Sequence, residues 1–213
     1  MYKVDLHTHS KASPDGFLSV SDYERMLTTK RLDVIAVTDH DTITFAQQLH
    51  EHLGDSIIVG EEITALEGEL IGLFLHDAVP PGLSATETAK RIHDQGGLVY
   101  VPHPFETARK GIRLDVLDQL AGQVDIVETY NGRTLQDHGT QAAAWAKAHH
   151  VPGASSSDAH GRRGWGNTHS TVSEHPTRDT LMTLLWDARL TTKSTGVVGR
   201  LYPKLNRLRK HRA

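Results

Sequence analysis

Residues 2–10 read YKVDLHTHS, a short apolar pattern that runs directly into two histidines. The same arrangement recurs further along, where residues 98–105 read LVYVPHPF and residues 153–160 read GASSSDAH. Alternate side chains of a strand lie on the same face, so His7 and His9 can reach one ion. We therefore expect several strands to carry metal-binding side chains at their carboxyl ends.

Seven runs rich in apolar residues predict strands, at residues 2–6, 33–38, 56–64, 69–75, 98–101, 125–129 and 153–156. Amphipathic stretches between or after them predict helices, at residues 20–30, 43–53, 85–95, 114–120, 135–149 and 178–188. The third and fourth strands are separated only by residues 65–68, which predicts a hairpin. The remaining alternation of strand and helix favours an α/β fold with a parallel sheet or barrel.

Histidine is unusually frequent, with 15 residues among 213, and 26 residues are Asp or Glu. Cysteine is absent, which excludes disulfides and thiolate zinc sites. Imidazole and carboxylate ligands suit zinc, manganese, iron or magnesium. No apolar run reaches the roughly 18 residues that a membrane span needs, and the first residues lack the pattern of a secretory signal. We therefore expect a cytoplasmic protein without a membrane span.

Charge is distributed unevenly along the chain. Residues 200–213 contain six Lys or Arg and no acid, whereas residues 1–199 contain 17 basic and 26 acidic residues, a formal charge of −9. Bound cations would relieve such an excess of carboxylates. We expect one domain at residues 1–199 and a basic carboxy-terminal tail at residues 200–213. Such a tail could contact nucleic acid or anionic lipid, or form a solvated or helical end.

Side chains able to bind metal follow six of the predicted strands, each at its carboxyl end. They are His7 and His9, Asp39, His40 and Asp41, Glu61 and Glu62, His103, Glu128, and Asp158 and His160. The carboxyl ends of parallel barrel strands meet around one mouth, where the active sites of such barrels form. Histidines scattered over a surface would not recur at this position, so the set as a whole predicts a metal centre.

Between Asp5 and Gly166 seven motifs follow one another, HTH, SPDG, TDHD, GEEIT, VPHPF, ETYN and SSDAH. This ordered set resembles the polymerase and histidinol phosphatase (PHP) family. The resemblance implies a distorted (β/α)7 barrel with a metal site at the C-terminal ends of the strands. It also implies two or three divalent ions, with manganese, zinc and iron as candidates, and phosphoester hydrolysis by a metal-activated hydroxide.

The resemblance assigns metal ligands to three groups, of which the first two share Glu62: His7, His9, Glu62 and Asp158 for one ion, Glu62 and His103 for a second, and Asp15, His40 and His160 for a third. Asp39 and Asp41 flank His40 in the sequence. One of them is expected to accept a hydrogen bond from an imidazole and so orient it.

Catalytic roles are expected for Asp158, His40 and His160. Either histidine could protonate the leaving oxygen if it is not fully committed to metal. Phosphate binding is expected from arginines on loops, namely Arg133, Arg109 and Arg162. A guanidinium group matches a phosphate with two parallel hydrogen bonds, which is why this residue type is favoured.

One position departs from the family pattern. Members often carry a histidine on the strand after the bridging glutamate, where this chain has Glu69. A carboxylate can bind metal and would favour manganese, magnesium or iron. His76 is the rival ligand, but strand direction puts it at the far end of the strand, so Glu69 is favoured. The second ion is the one that this substitution affects.

The favoured function is hydrolysis of a small phosphorylated substrate. A metallohydrolase that acts on amides or lactones is an alternative, because the same activated water could attack carbon. A nuclease-type phosphodiesterase on nucleic-acid ends, helped by the basic tail, is less favoured, since the chain has no basic and aromatic platform for single strands. A non-enzymatic accessory domain would be expected to lack ligands, whereas nearly every ligand position is filled.

Overall fold

Strands alternate with helices along the chain in the computed structural model, which describes residues 1–134 and 138–210. The strands are β1 (Tyr2–Asp5), β2 (Val34–Val37), β3 (Ile57–Ala65), β4 (Gly68–Leu73), β5 (Leu98–Val101), β6 (Ile126–Asn131), β7 (Gly153–Ser156), β8 (Thr168–Val172) and β9 (Arg189–Thr192). The helices are α1 (Val20–Thr28), α2 (Thr44–Leu53), α3 (Ala85–Asp94), α4 (Leu114–Gln119), α5 (Gly139–Ala148), α6 (Leu181–Trp186) and α7 (Gly196–Lys210).

The strands form one nine-stranded sheet in the order β7-β6-β5-β4-β3-β2-β1-β8-β9. Neighbours pair in parallel except where β4 or β8 takes part, because these two strands run in the opposite direction. The two sides of the sheet approach each other, since Thr8 after β1 forms a parallel bridge with Ala159 after β7. The fold is therefore an α/β, nearly closed barrel of the distorted TIM type, which confirms the predicted fold class.

The carboxyl ends of β1, β2, β3, β5, β6 and β7 meet at one end of the barrel, which we call the barrel mouth. Strand β4 pairs antiparallel with both β3 and β5, as the predicted hairpin requires. Its register places Glu69 opposite Thr64 and Leu73 opposite Gly60. The first residues of β4 therefore lie at the barrel mouth and its last residues at the opposite end.

Strand β2 shows how the apolar runs build the core. Its four residues are all buried, which a strand covered on both faces requires. Val34 and Ala36 pack into the barrel interior, whereas Ile35 and Val37 pack against the aromatic and aliphatic side chains of α1 and α2. Full burial of one such side chain contributes about 1.5–3 kcal/mol, so these runs decide which segments become barrel strands.

All seven predicted strands are present with small shifts at their ends, but the sequence pattern does not predict β8 and β9. Strand β8 reads THSTV and is wholly buried, although most of its side chains are polar. Ser155 of β7 pairs with two of its polar groups, since its Oγ donates to the carbonyl oxygen of His169 and its N–H donates to Ser170 Oγ. Thr168 Oγ1 donates to the carbonyl oxygen of Lys193, which follows β9. A buried strand whose polar groups pair with a neighbouring strand leaves no apolar signal in the sequence.

The carboxy-terminal segment forms α7, so the predicted boundary at residue 200 falls inside a helix that begins at Gly196. Residues 135–137 of the predicted helix 135–149, and residues 211–213 of the predicted tail, lie outside the described residues. In the part of the chain that the structure describes, no helix has the length and apolar character to cross a membrane. The cytoplasmic location stays a prediction.

Candidate metal centre

Two histidines, one glutamate and one aspartate form the middle of the barrel mouth, and all four are buried. The Nε2 atoms of His7 and His9 lie 3.1 Å apart. Glu62 Oε2 lies 3.4 Å from the first and 3.2 Å from the second, and Asp158 Oδ1 lies 3.7 and 3.5 Å from them. Ligand atoms about 2.1 Å from a shared ion lie about 3.0–3.4 Å apart, so these residues have nearly the spacing of one metal site.

Glu62 also faces a second group of donors. Its Oε1 atom lies 3.0 Å from Nε2 of His103, whose Nε2 is 3.9 Å from Glu69 Oε2. The three residues offer ligand atoms that all lie within 4.8 Å of one another. Each oxygen of Glu62 is thus turned to a different group, which is the arrangement of a carboxylate that bridges two ions.

The direction of β4 explains why Glu69, and not His76, reaches this second group. Glu69 lies near the start of β4, at the barrel mouth, and its side chain is buried. His76 follows the other end of the strand, is exposed, and its N–H donates to the Gln95 side chain. This geometry supports the expectation for Glu69, although metal binding by it stays a prediction.

A third group of donors surrounds Asp15, in the loop after β1. The group consists of His9, Asp15, His40 and His160, again within 4.8 Å of one another. Asp15 Oδ1 lies 3.6 Å from His40 Nε2 and 3.4 Å from His160 Nε2. His40 Nδ1 is 3.3 Å from Glu62 Oε2, so the third group adjoins the first.

These donors fit divalent cations. Among the described residues, the groups of His, Asp and Glu side chains that could hold an ion together contain all nine predicted ligands. These imidazoles and carboxylates suit zinc, manganese or iron. The 3.1 Å contact between two imidazole nitrogens of His7 and His9 needs a proton or a cation beside it, since two bare acceptors repel. A cation held by the flanking carboxylates would satisfy both nitrogens at once.

The pKa values of the ionisable groups at the barrel mouth are shifted, because acidic and basic side chains lie close together there. Burial alone would raise the pKa of Glu62, but His7, His40 and His103 hold it well below its usual range. Burial alone would lower the pKa of His9, but Asp158 and Glu62 raise it to about 9. In the absence of metal, protons therefore occupy positions that cations would take.

Comparison with known proteins places the chain among relatives. No family model matches it. Two proteins of Methanocaldococcus jannaschii, named Uncharacterized protein MJ1587 and Uncharacterized protein MJ0417, are 34% and 33% identical to this chain. The matches cover 61% and 81% of this chain, and 83% and 71% of the two relatives. The chain belongs to the same family as these two proteins.

Solved structures show which fold this is. A two-domain protein from Bacteroides vulgatus that contains a predicted PHP-like metal-dependent phosphoesterase is 20% identical, with a TM-score of 0.71 over 90% of this chain and 65% of that chain. A protein from Bifidobacterium adolescentis predicted to be a metal-dependent phosphoesterase is 15% identical, with a TM-score of 0.62 over 92% and 98% of the two chains. An amidohydrolase from Chromobacterium violaceum, solved with sulfate and no metal, is 16% identical, with a TM-score of 0.58 over 74% and 87%. The fold is the PHP fold.

Two of the three predicted arginines lie at the barrel mouth. Arg133 Nη1 donates to Asp158 Oδ1 at 3.0 Å, and Arg109 pairs with Asp158 Oδ2. Arg162 does not reach the mouth. Its side chain is 71% exposed and pairs with Asp22, which caps α1.

Glu128, in the middle of β6, is a buried residue to which the sequence assigned no specific role, although it is among the side chains that predict the metal centre. Its Oε1 lies 3.3 Å from His7 Nδ1 and accepts a hydrogen bond from the Tyr100 hydroxyl at 3.0 Å. Its Oε2 accepts from the backbone N–H of His103 at 2.6 Å and from Asn131 Nδ2 at 2.8 Å. Glu128 therefore orients ligands of two groups, and its place in the ETYN motif at the end of a predicted strand was the available signal.

The sequence predicts that Asp39 or Asp41 orients an imidazole, but the hydrogen bonds of both side chains go to other groups. Asp39 accepts hydrogen bonds from the N–H and hydroxyl of Ser10, at 2.7 and 2.5 Å. Asp41 accepts from the backbone N–H of Thr64 at 2.8 Å. Both side chains therefore hold loops of the mouth together, and Glu128 contacts the imidazole instead.

Proposed function

We propose that this chain is a metal-dependent phosphoesterase that hydrolyses a small phosphorylated substrate with two or three divalent ions. The observation that carries the proposal is the surroundings of Asp158. One of its oxygens faces His7 and His9, two of the candidate metal ligands. Arg109 and Arg133 pair with the same carboxylate. A cation cluster with guanidinium groups at its edge is the environment that a phosphoryl group requires.

Divalent ions held by the candidate ligands would lower the pKa of a water molecule and neutralise the phosphoryl oxygens. The residues of the chain would bind the ester and move protons. Arg133 and Arg109 would donate hydrogen bonds to the phosphoryl oxygens and orient the ester. Where the third ion is absent, either His40 or His160 could protonate the leaving oxygen. His40 is the better placed of the two, because its side chain is 16% exposed, whereas that of His160 is 2% exposed.

The space beside the centre favours a small substrate over a nucleic-acid strand. A cavity of about 240 Å³ is lined by His103, Glu106, Glu128, Asn131 and Thr134, among others. Sites for drug-sized molecules usually have about 300–1,000 Å³. A small phosphate ester fits this volume better than a polymer end does.

Hydrolysis of an amide or lactone is the second candidate, because one neighbour of the same fold is an amidohydrolase. That neighbour was solved with bound sulfate, a tetrahedral dianion like phosphate. The arginine pair on Asp158 favours the phosphoester, since neutral amides and lactones offer no dianion for two guanidinium groups. Turnover of an amide or lactone panel without phosphate release would reverse this order.

Nuclease-type action stays a weaker proposal. Two cations of α7 are turned to the protein, since Arg207 pairs with Asp15 and Lys210 donates to the carbonyl oxygens of Lys11 and Ser13. Replacing the more exposed Lys204 and Arg209 by alanine tests this alternative. A nuclease would bind DNA or RNA ends with a reduced salt dependence in that variant.

Elemental analysis of the purified protein, followed by phosphate release from an aryl phosphate with and without added Mn²⁺, tests the main proposal. We expect two to three metal ions per chain and release that depends on Mn²⁺. Asp158→Asn should lose roughly 10²–10³-fold of the rate, whereas Asp179→Asn, an exposed control, should not. Full activity in Asp158→Asn, or a protein that binds no metal, would overturn the assignment.

A further inference from the structure

Helix α7 packs on the barrel mouth through polar residues that contact both loops of the third ligand group. Asn206 has no exposed surface, and its Nδ2 donates to the backbone carbonyl oxygens of Asp15 at 2.8 Å and of His160 at 2.9 Å. Arg207 donates to Asp15 Oδ2 at 2.7 Å, while Oδ1 faces His40 and His160. One helix therefore joins ligands that lie far apart in the sequence.

The surrounding loops are shaped to receive this helix. A Cβ atom at Gly161 would lie 2.7 Å from the ring of Tyr202, so only glycine allows α7 to approach the backbone next to His160. On the other side, Lys210 donates to the carbonyl oxygens of Lys11 and Ser13, in the loop that leads to Asp15. The helix is thus held against both loops and fixes their separation.

We propose that Asn206 and Arg207 are positioning residues for the third ion, a role that rests on the proposed function. They contact ligand residues and would not touch the ion. Asn206→Ala leaves two buried carbonyl oxygens without their donor and frees the two loops to move apart. Contacts that orient metal ligands typically change affinity roughly 10–100-fold, so the third ion should bind weaker by about that factor.

Metal content tests the proposal directly. Wild type and variants are dialysed against graded concentrations of free Mn²⁺, and the ions per chain are counted by elemental analysis. Asn206→Ala should lose one ion at Mn²⁺ concentrations where wild type is full, and should keep the others. Arg207→Met should weaken the same ion to a smaller extent, because this side chain is 58% exposed, and Arg207→Lys should restore part of the affinity. Arg209→Met, on the exposed side of the same helix, should bind as wild type does.

The outcomes separate the two proposals. A wild-type protein without metal overturns the proposed function, and one that saturates at two ions overturns the third site. If wild type binds three ions and both variants bind the same number at every Mn²⁺ concentration, the positioning role alone is overturned. If Asn206→Ala does not fold, the comparison of Arg207→Met with Arg209→Met decides.

A different observation concerns the outer face of α7, which is apolar. Val197, Leu201, Leu205 and Leu208 recur at helical spacing and are 41–69% exposed. The buried positions of this helix are glycine, proline and asparagine. A surface helix normally turns its apolar side to the core, so this apolar stripe, as we call these four residues, indicates an interaction surface.

Charge identifies the kind of surface that the apolar stripe meets. Helix α7 contains five Lys or Arg and no acid. At about 100° per residue, Lys204 lies on one flank of the apolar stripe and Arg209 lies toward the other. An apolar face bordered by cations is typical of helices that lie in the interface of an anionic lipid layer.

Other occupants agree less well with these observations. Two copies of α7 packed face to face would bring Lys204 and Arg209 of both helices together, and α7 has no acid to pair them. A protein groove would enclose more of the helix than is free, because Asn206 and Lys210 hold its inner side to the barrel. A flat surface needs only the outer face. We infer, independently of the catalytic proposal, that the apolar stripe docks on an anionic lipid surface.

Cosedimentation with vesicles tests this inference. Wild type should pellet with vesicles of an equal mixture of phosphatidylglycerol and phosphatidylcholine, should not pellet with phosphatidylcholine alone, and should be released by salt. The triple variant Leu201→Ser, Leu205→Ser and Leu208→Ser should stay in the supernatant. Leu66→Ser, which changes an exposed leucine on the β3–β4 turn, should pellet as wild type does.

Three results would overturn the docking inference. Wild type that stays in the supernatant with both vesicle types removes its basis. A dimer in light scattering that disappears in the triple variant assigns the apolar stripe to a second copy of the chain. Vesicle binding that persists unchanged in the triple variant assigns it to another surface.

Discussion

Glu62 is the residue on which the two innermost ligand groups depend, because each carboxylate oxygen faces different nitrogens. Oε2 lies within 3.4 Å of His7 and His9, and Oε1 lies 3.0 Å from His103. A glutamine of the same shape would replace one oxygen by an NH2 group, which cannot bind a cation. The side-chain type, and not only its size, is therefore required at this position.

At the residue scale, Glu128→Gln should weaken metal binding without removing a ligand. Glu128 orients His7 through Nδ1 and His103 through its backbone N–H, so its loss should reduce metal affinity roughly 10–100-fold. Competition with a fluorescent chelator measures the Kd for Mn²⁺. Glu87→Gln, which changes a half-buried carboxylate on α3 away from the barrel mouth, is the matched control. Equal affinities in both variants would contradict the assigned role.

A second residue-scale prediction concerns substrate binding. Arg133→Lys should lower kcat/KM for the aryl phosphate roughly 10–100-fold, since a charge-assisted hydrogen bond contributes about 1.5–3 kcal/mol and lysine cannot form the paired contact. Metal content should not change. Arg162→Lys should leave kcat/KM at the wild-type value, because Arg162 pairs with Asp22 away from the mouth. A kinetic effect of Arg162→Lys equal to that of Arg133→Lys would contradict this distinction.

At the scale of elements, the reversed direction of β4 decides which donor enters the second group. A parallel strand would deliver a ligand at or just after its last residue, as β1 and β7 do. Because β4 runs antiparallel to β3 and β5, its first residues reach the barrel mouth. The hairpin thus places Glu69 beside His103 and sends His76 to the opposite end.

Replacing each of these two residues separately by glutamine tests the strand direction in solution. Glu69→Gln should lose the second ion, because an amide removes one of the two carboxylates from the group Glu62, Glu69 and His103. His76→Gln should keep the wild-type metal content. Elemental analysis after dialysis at limiting Mn²⁺ distinguishes the two, and loss of an ion in His76→Gln instead would show that the other end of β4 binds metal.

At the scale of the whole molecule, the barrel gathers carboxylates and imidazoles into one buried cluster that is stable only with cations or protons in it. Burial alone would lower the pKa of His7, but Asp158, Glu62 and Glu128 raise it well above normal. Burial alone would raise the pKa of Asp158, but Arg133, His7 and Arg109 hold it well below normal. The cluster therefore couples folding, metal binding and pH.

Metal removal should make stability depend on pH. His9 has an ordinary pKa of 6.5 and a folded pKa of about 9, so its proton stabilises the metal-free fold fully below pH 6.5. This stabilisation is lost as pH rises through about 9. The Tm of chelator-treated protein should therefore fall between pH 7 and 9.5, whereas metal-loaded protein should be more stable and change less. Metal binding at pH 7 should release protons, which titration calorimetry in two buffers measures. No proton release would contradict the coupling.

Much of the fold and of the site could be predicted because it depends on local patterns. Apolar runs such as Ile35 and Val37 in β2 predict buried strands, and His7 and His9 at a strand end predict ligands. Strand β8 could not be predicted in this way, because its buried polar groups pair with β7 and with the segment after β9, and these partners cannot be identified from the sequence. The contribution of Asn206 was equally hidden, since a basic tail shows no sign of the carbonyl groups it will meet.

The sequence by itself determined that the segments of β1 to β7 become strands, that metal-binding residue types follow most of them, and that Glu69 lies on the side of the ligands. These depend on burial of apolar side chains and on strand direction, both of which are local properties. Only the tertiary structure decided that Arg162 pairs with Asp22 away from the barrel mouth and that Glu128 orients His7. The same holds for the contacts of α7 with both loops of the third group. Each of these depends on a hydrogen bond or ion pair between residues distant in the chain, whose partner is chosen by packing.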